Sequence, residues 1–287
     1  MGKLTVTILG SGTCVPSLRR SSCSVLVEAD QAKLLFDMGP GTMRRLLDAG
    51  ATIGEITHLF FSHFHPDHTG ELASFLFASK YPPERRRHSR LRITAAEGFM
   101  AFSGRLNDLY GHWVEMEEGV VDIFEMSSER PDYLQIDPVD IHTFPLDHIE
   151  SSIGYRITTP NGTSVVYTGD TDYCKNAVRL AMNADLCICE CAFPDNMKVA
   201  GHLTPSLAGK IATEAQVKAL LLTHFYPECD DIDILEQCRK TYKGEIMRAE
   251  DLMRIEIVDG SLAILDRGMV SHGNRRGAGR STVSKTG

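Results

Sequence analysis

Three imidazoles and one carboxylate fall within the six residues His63 to His68 of the stretch Ser62-His63-Phe64-His65-Pro66-Asp67-His68-Thr69-Gly70. The apolar run Ile56-Thr57-His58-Leu59-Phe60-Phe61 just before it reads as a buried strand, which places the cluster on a strand-to-helix loop. Extended backbone sends alternate side chains to one face, so His63 and His65 can grip one ion together. Asp67 and His68, beyond the Pro66 kink, point elsewhere. Two ions fit this geometry better than one. Imidazole and carboxylate donors suit Zn²⁺, with Mn²⁺ and Fe²⁺ as competitors, because ligand type alone does not select among them. A single histidine in a polar loop is most often a surface residue, but the order H-x-H-x-D-H has no common structural reason to occur.

The elements that must carry this loop are legible in outline. Residues 3–9, 24–28 and 33–37 read as three strands in a meander, followed by a glycine-rich turn and a helix over 42–49 closed by Gly50. Asp37, at the third strand's end, either holds that turn or bonds to a metal-binding histidine from behind. A helix over 71–79 precedes the basic run 84–90, which is either a solvated loop or an anion-binding patch. A strand over 91–94 leads to an amphipathic helix over 98–110, with Phe99, Phe102, Leu106 and Leu109 expected on its inner face. The second half repeats this grammar. A strand over 139–144 ends in the loop carrying His148, and strands 152–157 and 164–168 form a hairpin across Pro160-Asn161-Gly162. Strands over 184–190 and 217–222 flank a helix over 205–215. The pattern predicts an α/β protein with its active site along one sheet edge.

A dinuclear centre needs more donors than the cluster offers, and His148, Asp170 and His224 each stand at a strand end. They complete two sets, with His63, His65 and His148 on one ion, Asp67, His68 and His224 on the other, and Asp170 bridging. This order resembles the five motifs of the metallo-β-lactamase superfamily over nearly the whole chain, from Leu4 to about Leu265. Within it, Leu9-Gly10-Ser11-Gly12-Thr13, Phe36-Asp37-Met38-Gly39-Pro40-Gly41-Thr42, Tyr167-Thr168-Gly169-Asp170-Thr171 and Leu222-Thr223-His224 are similar to the ribonuclease Z-like branch. The resemblance implies a four-layer αβ/βα sandwich in a single domain over 1–271. It also implies roles for Glu190, matching the Glu of an H-E-A-T-F stretch, and for His202, matching the histidine of an H-S-T stretch. In the family these form a carboxylate–imidazole pair beside the scissile phosphate.

Composition bounds the partners. The net charge is −8, and residues 272–287 contribute +4 of it with no acid, so the preceding body carries −12. An acidic body disfavours extended nucleic-acid binding, which depends on phosphate neutralisation. The tail, rich in Gly, Ser, Thr and Arg, is expected to be disordered. No apolar run is long enough to span a membrane, and the eight cysteines lack any C-x-x-C pair, so a cytoplasmic protein with reduced thiols is expected. Cys187, Cys189 and Cys191 share one strand face, where they are either core residues or soft-metal ligands. Relatives of this fold are often dimers, which leaves a homodimer open.

The branch's long transfer-RNA-clamping arm often lies between the loop histidine and the bridging Asp. Here only 21 residues separate His148 from Asp170, and the hairpin takes nearly all of them. The expected function is therefore a dinuclear metal-dependent hydrolase that cleaves small phosphodiesters with a metal-bridging hydroxide. Asp67 would orient the hydroxide, and His202, held by Glu190, would serve the leaving group. A carboxylic-ester, thioester or lactone hydrolase is the alternative, and a transfer-RNA 3′-processing endoribonuclease a further one. A diiron redox protein would normally replace a cluster histidine with Glu, which this chain does not do.

Overall fold

Leu4, Val6 and Ile8 alternate with Thr5 and Thr7, Val25 and Val27 flank Leu26, and Leu34 and Phe36 flank Leu35. With side chains on opposite faces at a period of two, such strands can bury both faces only between two layers. The computed structural model, which describes residues 2–265, builds those layers. The expected domain boundary at 271 and the tail over 272–287 lie outside the described residues.

The first half runs β1 (Lys3–Gly10), β2 (Ser24–Ala29), β3 (Ala32–Phe36), α1 (Thr42–Asp48), β4 (His58–Phe60), α2 (Pro66–Thr69), α3 (Leu72–Lys80), β5 (Leu91–Ala96), α4 (Phe99–Tyr110) and β6 (Val121–Met126). The second runs β7 (Asp132–Ile136), β8 (Val139–Pro145), β9 (Ile153–Thr158), β10 (Ser164–Tyr167), α5 (Lys175–Ala181), β11 (Leu186–Glu190), α6 (Pro205–Glu214), β12 (Ala219–Thr223), α7 (Ile234–Arg239) and β13 (Glu245–Arg248). The hairpin β14 (Arg254–Val258) and β15 (Ser261–Leu265) then returns to the first sheet beside β1.

Among the described residues the strands form two sheets, ordered β15-β14-β1-β2-β3-β4-β5-β6 and β13-β12-β11-β10-β9-β8-β7. Each half begins antiparallel and becomes parallel, from β3 to β6 in one sheet and from β10 to β13 in the other. The inward residues Leu4, Val6, Ile8, Val25, Val27, Leu34, Phe36 and Phe60 join one core with the second sheet and α5 to α7. The outward residues Leu9, Leu26, Leu35 and Leu59 join another, with Leu46, Phe75 and Phe99 of α1, α3 and α4. Helices thus cover the outer faces of two apposed sheets, the αβ/βα sandwich the motifs implied. Each aliphatic or Phe side chain buried this fully contributes about 1.5–3 kcal/mol.

Several expectations change in detail. Strand β4 is only three residues long, because the chain leaves the sheet at Phe61 to form the histidine loop. On α4, Phe99 is buried but Leu109 is 71% exposed, so the inner face ends before the last turn. The basic run binds the scaffold. Arg86 pairs with Glu117, Arg90 with Asp122, and the buried Arg87 donates to the carbonyls of Ile53 and Ile56. Cys187, Cys189 and Cys191 are buried core residues, and among the described residues no thiol belongs to a group able to hold an ion.

His58 on β4 is buried, its Nε2 has no partner, and its ring stacks near Phe60. Burial, with the Arg92 guanidinium adding to it, takes its pKa from the ordinary 6.5 down to about 4. The folded state then binds fewer protons than the unfolded chain between those values. The stability of neutral His58 is fully present above pH 6.5 and is lost as the pH falls towards 4. In metal-free protein, His58→Phe is expected to flatten the acid limb of the stability–pH curve by up to about 3 kcal/mol. Urea unfolding of both proteins at pH 7 and pH 4.5 measures this, and parallel curves would contradict it.

Candidate metal centre

All the expected donors gather at one end of the sandwich, at the carboxyl ends of strands or in the loops that follow them. His63 and His65 leave β4, Asp67 and His68 lie on α2, His148 follows β8, Asp170 follows β10, and His224 follows β12. Glu190 is the last residue of β11, and His202 lies in the loop before α6. Gly169 makes the approach of Asp170 feasible. It has φ +59°, and a Cβ there would lie 2.3 Å from Cβ of Ser62.

The donors sort into two groups about one carboxylate. In the first, His65 Nδ1 lies 3.0 Å from His63 Nε2 and 3.2 Å from His148 Nε2. Asp170 Oδ2 is 3.8 Å from both His63 Nε2 and His148 Nε2. In the second, His68 Nε2 is 3.3 Å from His224 Nε2, and Asp170 Oδ1 lies 3.3 and 3.2 Å from these two nitrogens. Asp67 Oδ2 closes the second group, 3.7 Å from His224 Nε2. One oxygen of Asp170 therefore faces each group.

The hydrogen bonds behind the rings set the tautomers. Ser62 Oγ donates to Asp37, which leaves it to accept from His63 Nδ1 at 3.0 Å. His148 Nδ1 donates to the Gly201 carbonyl at 2.8 Å, and His68 Nδ1 to Asp37 Oδ2 at 2.7 Å. His63 and His148 thus each turn an unprotonated Nε2 towards His65 Nδ1, while at His68 burial opposes charge but Asp170 and Asp37 outweigh it and raise the imidazole well above its ordinary value. Acceptor nitrogens converging in this way suit a cation held among them. Asp170 Oδ1 is also buried with no hydrogen-bond donor. The donor set and this orphaned oxygen fit divalent ions that take nitrogen and oxygen ligands.

The electrostatics agree with that fit. Burial pushes His63 well below its ordinary pKa, with His68 adding to the effect. Burial opposes charge on Asp170, but His224 and His68 outweigh it and hold the carboxyl well below the usual range. At His202 burial also opposes charge, and the hydrogen bond and charge of Glu190 overcome it, raising the imidazole above its ordinary value. Glu190 Oε1 is 3.0 Å from His202 Nδ1, and its carboxylate also accepts the Thr171, Ala192 and Leu203 N–H groups. His202 Nδ1 in turn lies 3.9 Å from Asp170 Oδ2, so the pair stands beside the donor cluster.

Of the two roles its position suggested, Asp37 fills the second, and its carboxylate holds the histidine loop and not the glycine-rich turn. One oxygen accepts the Ser62 N–H, and the other accepts Ser62 Oγ, the Tyr167 hydroxyl and His68 Nδ1, at 2.6–2.7 Å. Tyr167 and the Gly201 carbonyl were not visible as supports in the sequence, because their partners lie 130 and 53 positions away along the chain. Asn at position 37 keeps the shape but presents one donor where two acceptors are needed. Asp37→Asn is expected to weaken divalent-ion binding about 10- to 100-fold, measured by competition with a chromogenic chelator. Unchanged affinity would reduce Asp37 to a loop anchor.

Among the described residues no helix is long and apolar enough to cross a membrane. The chain is 27% identical to a ribonuclease Z of Archaeoglobus fulgidus, covering 88% of this chain and 97% of that protein. It superposes on the metallo-β-lactamase-fold protein YhfI of Bacillus subtilis with a TM-score of 0.76 at 23% identity, covering 89% of this chain and all of that one. The short form of human tRNase Z gives a TM-score of 0.71 at 25% identity, covering 88% and 98%. The two-sheet architecture is the metallo-β-lactamase fold, which implies divalent metal ions, and the chain is a metal-dependent hydrolase. Residues 4–243 match the family model described as Anti-Pycsar protein Apyc1, and the chain belongs to that family.

Proposed function

We propose that this protein is a dinuclear metal-dependent phosphodiesterase acting on small phosphodiesters. The observation that carries the reading is the pair formed by buried Glu190 and half-buried His202, joined at 3.0 Å and standing 3.9 Å from Asp170. His63, His65 and His148 would hold one ion, Asp67, His68 and His224 the other, and Asp170 would serve both, with zinc the best fit to these donors. When bound, such ions supply Lewis acidity and bring the pKa of a water towards neutrality.

The chain's own residues do the rest. Asp67, on the first turn of α2, would orient the attacking water and take its proton. His202 donates through Nδ1 to Glu190, and its Nε2 would serve the reacting region. There it stabilises the oxygen that gains charge or protonates the leaving alcohol. A carboxylic-ester hydrolase on the same scaffold would use the metals without calling on this pair.

The size of the substrate follows from the loops. Between His148 and Asp170 the chain is taken up by β9, β10 and their turn over 159–163. No clamping arm stands there among the described residues, and with a net charge of −8 the protein is a poor partner for an extended polyanion.

Turnover of bis(p-nitrophenyl) phosphate by chelator-treated protein reloaded with Zn²⁺ or Mn²⁺, beside a p-nitrophenyl carboxylate ester, tests the class. Metal-dependent diester cleavage with little ester cleavage is expected, and ester cleavage alone would overturn the reading. Asp170→Ala is expected to lose activity together with bound metal. His202→Ala is expected to keep its metal and lose about 10²- to 10⁴-fold in turnover of diesters with poor leaving groups. Metal analysis beside kinetics separates the two, and wild-type rates in His202→Ala would remove it from the mechanism.

A further inference from the structure

His202 rides on a surface loop that buries little. Residues 196–200 are all exposed, and Met197 and Val199 are 41% and 45% exposed, so apolar packing does not fix the segment. Its anchors are polar. Asp195 binds Ser206 on one side, and Leu203 N–H donates to Glu190 on the other. Between them the side-chain anchors are the Glu190–His202 bond itself and those made by Asp172 and His148.

Asp172 Oδ2 accepts the Gly201 N–H at 3.0 Å and Lys198 Nζ at 2.7 Å. Its own N–H donates to the Asp147 carbonyl at 2.7 Å, next to His148. The Gly201 carbonyl accepts from His148 Nδ1. Gly201 has φ +83°, and a Cβ there would lie 3.0 Å from His148 Nδ1, so the two must approach closely. Asp172 therefore joins three loops, those carrying His148, Asp170 and His202.

We propose that Asp172 is a positioning residue that pins Gly201 and thereby sets two groups at once, the imidazole of His202 and the ring orientation of His148. The inference rests on the reading of His202 as the group serving the leaving oxygen. A carboxylate bound to a backbone N–H and an ammonium is a charge-assisted contact, strong enough to hold an exposed loop in one register. Without the Asp172 carboxylate, the loop releases the Gly201 carbonyl from His148 and carries His202 away from the leaving group.

The test compares diphenyl phosphate, which expels a more basic oxygen, with bis(p-nitrophenyl) phosphate, alongside zinc affinity by chelator competition. Asp172→Ala is expected to lower turnover of diphenyl phosphate about 10- to 100-fold while sparing the nitrophenyl diester, and to weaken zinc binding about 10-fold. Asp172→Asn keeps an acceptor for the Gly201 N–H and is expected to recover most of both. An unchanged leaving-group ratio with unchanged zinc affinity overturns the proposal. So does an equal loss on both substrates with a lowered melting temperature, which would mark a purely structural role. If Asp172→Ala does not fold, Gly201→Ala disturbs the same junction and must shift the ratio in the same sense, and an unshifted ratio overturns the proposal as well. His202→Ala, measured in parallel, separates the two readings. If it shows no leaving-group dependence, the acid assignment fails. If it shows one and Asp172→Ala does not, only the role of Asp172 fails.

Discussion

Five imidazoles and two carboxylates converge within a few ångströms, and that crowding is the constraint on which the rest of the molecule depends. The inward Nε2 atoms of His63 and His148 lie 3.0 and 3.2 Å from Nδ1 of His65, so one ring nitrogen is crowded by two acceptors at once. The rings cannot relieve this by rotating, since His63, His148 and His68 are held from behind by Ser62, Gly201 and Asp37. The scaffold thus stabilises a set of donors poorly suited to each other and well suited to divalent ions.

Two sheets that each turn from antiparallel to parallel explain where the crowding occurs. Parallel strands deliver their carboxyl ends to one edge, and both halves of the chain present such an edge to the same cleft. The first half brings Asp37 and the histidine cluster, and the second brings Asp170, Glu190 and His224. The ring packing of Phe36, Phe60, Tyr155 and Tyr167 lies between the sheets directly beneath. Tyr167 links the layers by donating its hydroxyl to Asp37, so the core that stabilises the fold also holds a ligand's support.

Much of the first layer was legible because it obeys local rules. The alternation in β1 to β3, the hairpin of β9 and β10 and the helix α6 follow from side-chain period and turn residues within a few positions. Strands β6, β7, β13, β14 and β15 and helices α5 and α7 were not read. On β6 and β15 most residues are half-buried or exposed, so no clean alternation marks them. Leu109 fits a helical stripe yet points to solvent, because no partner layer extends that far along α4. The arginines of the 84–90 run look like an anion site in one dimension and are taken up by carbonyls and acids of the scaffold in three.

By itself the sequence determined which residue types stand at the strand ends, and so the nitrogen and oxygen chemistry available to the protein. Spacing within the H-x-H-x-D-H cluster carried that information, since extended and helical backbone dictate which side chains share a face. Tertiary structure alone decided how those residues meet. Asp37 reaches His68 across 31 positions and Tyr167 across 130, and the Gly201 carbonyl reaches His148 across 53. Such contacts leave no periodic trace, because they depend on how two sheets pack and on where loops of different length bring the chain back.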